Sequence, residues 1–131
     1  MTERQAIIPQ GMEYVYDRIH YAPAVRVGDT IYVSGQIGRD DDGQLVEGTE
    51  AQIVQAFENL KKVLAAAGAQ LSDIVDLTTF HTDMRDLQLF MKVKDRYLTQ
   101  DFPAWTAIGA ASLGGAPGYL IEIKAVAALR R

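Results

Sequence analysis

The chain has 131 residues, 48% apolar and 23% charged, which is the balance of a water-soluble globular protein long enough for one buried core. Its net charge of −4 gives a polyanion no electrostatic reason to bind, so nucleic acid is not an expected partner. The absence of cysteine excludes disulfides, cysteine-based zinc sites and a thiol nucleophile, and it suits a reducing compartment.

Met1-Thr2-Glu3-Arg4 lacks the apolar core of a signal peptide. No apolar run approaches the roughly 18 residues of a membrane helix. The expectation is a cytoplasmic protein with no membrane partner, residues 1–131 forming one domain.

In chain order, Met12–Tyr16 reads as a short edge strand. Tyr21 to Val27 and Thr30 to Ser34 read as two strands around Gly28-Asp29, a loop suited to a tight hairpin because glycine accepts positive φ. Pro23 lacks an N–H, which puts its strand at an edge or marks a bulge. Gly35 either ends the strand pattern or lets something approach the backbone. Gly38 to Gly43 is an acidic turn without the ligand spacing of a calcium loop.

A helix opens near Thr49, with Thr49 and Gln52 at capping-box spacing. Ile53, Ala56, Phe57, Leu60, Val63, Leu64 and Ala67 form its buried stripe, and Gly68 suits the left-handed residue beyond its end. Ile74 to Thr82 follows as a strand, with Val75, Leu77, Thr79 and His81 on one side and Ile74, Asp76, Thr78 and Phe80 on the other. A second helix spans about Asp86 to Thr99, its face formed by Leu87, Phe90, Met91, Lys94, Tyr97 and Leu98. Pro103 stops it. Strand 104–112 alternates Trp105, Ala107 and Gly109 against Thr106 and Ile108. After the turn-formers Gly114 to Gly118, strand 119–129 sets Glu122, Lys124 and Val126 against Ile121, Ile123, Ala125 and Ala127.

This order predicts an α+β protein: a single mixed β-sheet with two helices packed on one face. The other face then needs a cover, and a second subunit is the expected one.

The ordered set Tyr21; Gly28-Asp29; Ser34-Gly35-Gln36-Ile37; Phe57-Glu58-Asn59-Leu60; Ala66-Ala67-Gly68; Asp73-Ile74-Val75; Phe102-Pro103-Ala104; and Ile121-Glu122-Ile123 resembles the Rid (YjgF) family. Phe80-His81-Thr82-Asp83 with Trp105-Thr106 looks most like its YjgH-type branch. The resemblance covers the chain from about Tyr21 to the end. It implies a chorismate mutase-like fold and a homotrimer with sheets inward. Small-molecule ligands bind in clefts between subunits, and no cofactor is implied. In active members water hydrolyses an enamine or imine to a keto acid and ammonia. The position of Glu122 carries a glutamate linked to the attacking water, and positions of Tyr21, Ser34 and Gly35 line the cleft. The position of Trp105 carries an arginine that clamps the substrate carboxylate, and that of Met91 often carries asparagine.

An indole has one N–H and no charge, so Trp105 cannot replace a guanidinium fork. Efficient deamination of small 2-imino acids is therefore not expected. Each candidate keeps two readings. Trp105 fills space, or stacks a planar or cationic ligand. Glu122 pairs with Lys124, or polarises water through a pKa raised by burial. His81 is a satisfied strand histidine, or a proton carrier. The hydroxyls of Tyr21, Ser34 and Thr106 orient a ligand, or satisfy nearby backbone. His20 is a surface residue. Two isolated histidines and scattered carboxylates make no metal set. The leading expectation is a trimer that binds a small metabolite and hydrolyses a C=N bond with an altered substrate range. The alternatives are a non-catalytic binding or chaperone-like module and an endoribonuclease, the last disfavoured by the acidic balance.

Overall fold

The computed structural model describes residues 3–114 and 116–130. Met1 and Thr2 of the signal-peptide argument, Gly115 of the turn-former loop and Arg131 lie outside the described residues.

Among the described residues, six strands form one mixed sheet in the order β1-β2-β3-β6-β4-β5. They are β1 (Arg4–Ile7), β2 (Ala24–Val27), β3 (Thr30–Ile37), β4 (Ile74–His81), β5 (Ala104–Gly109) and β6 (Ile121–Ala128). Only β4 and β5 pair in parallel, joined across α2 (Leu87–Tyr97); α1 (Thr49–Ala66) joins β3 to β4. Both helices lie on one face. Phe57, Leu60 and Leu64 of α1 and Phe90 and Val93 of α2 are fully buried against Ile31, Leu77, Ile123 and Ala125. Burial of each large side chain contributes about 1.5–3 kcal/mol, so this face fixes the fold. Phe57 stacks between Phe90 (centroids 5.6 Å apart) and Tyr97 (4.9 Å). No helix among the described residues is long and apolar enough to cross a membrane.

Several expectations hold. Val27 pairs with Thr30 across the Gly28-Asp29 hairpin, where Gly28 has φ 60°. The α1 stripe is buried as read, and Gly68 follows it with φ 82°. Lys94 is packed along its stem, its side chain only 14% exposed.

Other expectations need correction. Met12–Tyr16 is not a strand; one π-helical turn, Val15–Ile19, follows Tyr14 and ends at His20 in the left-handed region. The edges are β5 and β1, and β1, four residues long, is too short to carry a periodic signal. Pro23 precedes β2 rather than lying in an edge strand, and its carbonyl accepts from Ser34 N–H at 2.9 Å. The capping box of Thr49 and Gln52 is not formed: Gly48 is the cap residue, and the Gln52 side chain is drawn away to Gly118 O (2.8 Å) and Leu120 N (2.9 Å). A bulge between Ile74 and Asp76 buries Ile74 and exposes Val75, reversing the expected alternation at the start of β4. On α2, Val93 is buried and Met91 exposed, so the packed face is rotated from the expected one.

Candidate functional site

Strand register decides which side chains meet. On the face opposite the helices, Ile37, Glu122, Phe80 and Ile108 stand in one row across β3, β6, β4 and β5. Glu122 thus has apolar neighbours on both sides. Burial among them raises its carboxyl pKa above the usual glutamate range. Lys124, two residues on, makes no ion pair with it among the described residues, so the structural reading of Glu122 as half of a Glu–Lys pair fails.

The carboxylate rests on the backbone of β3. A Cβ on Gly35 would lie 2.6 Å from Glu122 Cδ, well inside van der Waals contact. Only glycine leaves room for the carboxylate there, which is the close approach expected of Gly35. A register shift between Val33 and Gln36 bends β3 at this point.

A pocket of about 810 Å³ opens over Glu122 and Gly35. Tyr21 and Ser34 also line it, as do Tyr14, Arg39, Asn59 and Lys124. The Ser34 hydroxyl donates to Ala22 O at 2.6 Å, tying down the segment before β2. Its first role is therefore positional, since that segment carries Tyr21. The Tyr21 hydroxyl has a raised pKa, chiefly through burial, with the Tyr14 hydroxyl and Glu122 adding to it and Arg39 opposing it. Tyr21 thus lies within electrostatic reach of both Arg39 and Glu122.

The structure does not bring Trp105, Thr106 or His81 into this pocket within one chain. Trp105 pairs with Leu77 and shares the helix-covered face, opposite to Glu122. Its indole N–H donates to Thr79 Oγ1 at 3.0 Å, and Thr79 Oγ1 lies 2.7 Å from His81 Nε2. Phe90 packs on the indole with centroids 5.7 Å apart, and Lys94 Nζ sits 5.1 Å from the ring centroid. A cation over an indole is a favourable pair. The packing reading of Trp105 is the one realised within the chain. His81 is 1% exposed and meets Phe90 edge-on at 5.0 Å, and burial lowers its pKa. It is a satisfied core histidine, not a pocket residue. Thr106 is exposed on the open face, paired with Thr78, in the row of Lys124 and not that of Glu122. His20 is exposed, as expected.

Sequence reading missed Arg39, Tyr14 and Asn59. Arg39 is masked by the acidic turn that follows it, and Tyr14 by its reading as strand. The available signal is position: Arg39 stands two residues beyond Ile37, which pairs with Glu122. Asn59 is legible only through packing, since its amide bonds Ile37 O (2.9 Å) and Arg39 O (2.8 Å) and fixes the exit of β3. Asp40 Oδ1 caps the turn by accepting from Asp42 N and Gln44 N, both at 2.9 Å. No grouping of acidic or histidine side chains suited to a metal occurs among the described residues.

Comparison with known proteins bears on the family and the fold. The family model described as Endoribonuclease L-PSP matches residues 15–129. The chain is 40% identical over 129 residues to the RutC family protein YjgH of Escherichia coli K12, covering 97% of this chain and 96% of that one. It is 40% identical over 109 residues to the human 2-iminobutanoate/2-iminopropanoate deaminase, covering 82% and 78% of the two chains. The solved structure of protein YJGH superposes with a TM-score of 0.87 at 38% identity, over 98% of both chains.

Proposed function

The chain belongs to the Rid (YjgF) family, and on that premise we propose that its Glu122 pocket binds a small metabolite and hydrolyses an imine or enamine. The observation that carries this reading is the Glu122 carboxylate itself. It lies over Gly35 at the floor of a pocket, without an ion-pair partner among the described residues, and its pKa is raised by burial. A carboxylate that has lost hydration without gaining a counter-charge is a stronger base than one in water.

The chemistry follows. Glu122 accepts a proton from a water as its oxygen attacks the C=N carbon. The carbinolamine then expels ammonia, with the proton returned to nitrogen, and a carbonyl compound remains. An enamine first takes a proton on carbon to become the imine. The net reaction consumes one water and releases one ammonia. Tyr21 stands where its hydroxyl can orient the ligand beside Glu122.

The assembly is part of the proposal. Tyr32 and Ile108 are 51% and 40% exposed on the face that the helices leave open, an apolar surface suited to other copies in a homotrimer. Trp105 lies on the edge strand, on the far face from Glu122 of its own chain. Its ligand-stacking role is therefore available only from a second copy, while Thr106, the next residue on that strand, points to the open face instead. Where the family resemblance places a carboxylate-clamping arginine, this position offers no charge, so the substrate range differs from that of the deaminases. An endoribonuclease role is disfavoured by the net charge of −4, which gives RNA little electrostatic attraction.

The test is ammonia release from freshly generated 2-iminobutanoate and from carboxylate-free imines. Turnover of at least one should scale with protein and fall about 100-fold or more in Glu122→Gln. Turnover unchanged in that variant, or none with any imine, defeats the reading.

A further inference from the structure

The pocket holds a cation that the hydrolysis described above does not use. Arg39 leaves the end of β3 half-buried, and its position is fixed from three sides. Nε donates to the Tyr119 hydroxyl at 3.2 Å, and Nη1 donates to the Tyr14 hydroxyl at 2.9 Å. The guanidinium lies 5.6 Å from the Tyr119 ring centroid, and Asn59 holds the Arg39 carbonyl. Ordering a long, flexible side chain costs entropy that a merely solvated arginine does not spend.

The partners that fix Arg39 do not neutralise it. Phenol hydroxyls orient a guanidinium without cancelling its charge. Asp40 and Asp41 follow it directly, yet neither is in ion-pair contact with it: Asp40 caps its own turn, and Asp41 lies 3.8 Å from Lys62 Nζ. Glu122, in the same pocket, does not pair with it either among the described residues. Nη2 makes no protein hydrogen bond among the described residues. A pre-oriented guanidinium with Nη2 free and no neutralising partner among the described residues can give a small oxyanion a charge-assisted hydrogen bond.

We propose that Arg39 is the carboxylate-binding residue of this pocket, holding the acid group of an imino or enamino acid whose C=N carbon lies at Glu122. The proposal rests on the hydrolytic reading of the pocket and names its substrate class. The acid group points toward Tyr14 and Tyr119, not toward β5, so it need not sit on the carbon next to the C=N bond. The anchor lost at Trp105 is replaced from a different strand.

Binding without turnover separates this claim from the catalytic one. Isothermal titration compares two oxo acids, 2-oxobutanoate and 4-oxopentanoate, with their uncharged amides. Wild-type protein should bind at least one acid about tenfold more tightly than its amide, the worth of one charge-assisted contact. Arg39→Gln should erase that preference and leave amide affinity within about twofold. Arg39→Lys keeps the charge without the fork, and its preference should fall severalfold, which carries the test should the glutamine variant fail to fold. A role confined to tying Tyr14 to Tyr119 would lower thermal stability and leave the ratio of acid to amide affinity unchanged. Wild-type protein that binds acid and amide equally, or binds neither, overturns the proposal, as does a preference unchanged in both variants. Loss of hydrolysis in Glu122→Gln leaves the Arg39 result standing, and the reverse holds too.

Discussion

Glu122 and Trp105 stand on strands of one sheet with only β4 between them, yet their polar groups have opposite fates. The indole N–H is bonded to Thr79, Thr79 meets His81, and Lys94 covers the ring. The hydrogen bonds of this cluster are spent on the fold. The Glu122 carboxylate is desolvated beside an open pocket without a compensating charge. The same sheet therefore holds one polar cluster that stabilises and one group that costs stability. The lesson is that reactivity is stored where a polar group has lost water without gaining a protein partner.

Three substitutions sharpen this contrast. Trp105→Ala removes a half-buried indole packed on Phe90 and the N–H that donates to Thr79 Oγ1, leaving Thr79 its contact with His81. It should lower unfolding free energy by about 3 kcal/mol in urea titrations, at the low end for a buried aromatic. A loss under about 1 kcal/mol would break the view of Trp105 as a packing residue. Gly35→Ala acts on the other region. Its methyl must displace the Glu122 carboxylate, so turnover should fall about tenfold or more with little change in melting temperature. Retained turnover would mean that the carboxylate position over Gly35 is irrelevant.

Glu122→Gln gives the smallest shift and the most distinctive sign. Because the folded-state pKa is raised, the folded protein binds the proton more tightly than the unfolded chain. That contribution to stability is fully present below the ordinary glutamate range and is lost as pH rises through the raised value. At neutral pH the charged carboxylate burdens the wild type, so the glutamine variant should melt slightly higher there. The gain should vanish as pH falls below the ordinary glutamate range. Thermal melts across pH check this, and a variant less stable at neutral pH would show that the carboxylate is compensated after all.

Much of this arrangement was legible in the chain. The buried stripe of α1 and the alternation of β6, which sends Glu122 away from Ile121 and Ile123, follow from period alone. Gly35 as a point of close approach was also legible, although its partner was not. The rest failed for identifiable reasons. The bulge at Val75 shifts the start of β4 by one residue, which no alternation count reveals. Gln52 left its capping role for the loop before β6, a contact 66 residues away in sequence. Trp105 and Glu122 were joined by family motif, whereas strand parity alone assigns Trp105 to the face of Leu77 and Ala125. Arg39 was hidden because a charged residue before three aspartates looks like solvated surface until its tyrosine partners are placed.

The pH dependence of C=N hydrolysis, set beside the carboxyl-carbon titration of Glu122 by NMR, tests the role of this carboxylate most directly. Activity should rise with pH as Glu122 loses its proton, and both curves should share a midpoint above the ordinary glutamate range. A carboxylate that titrates in the ordinary range, or a rate indifferent to its ionisation, would contradict the central claim.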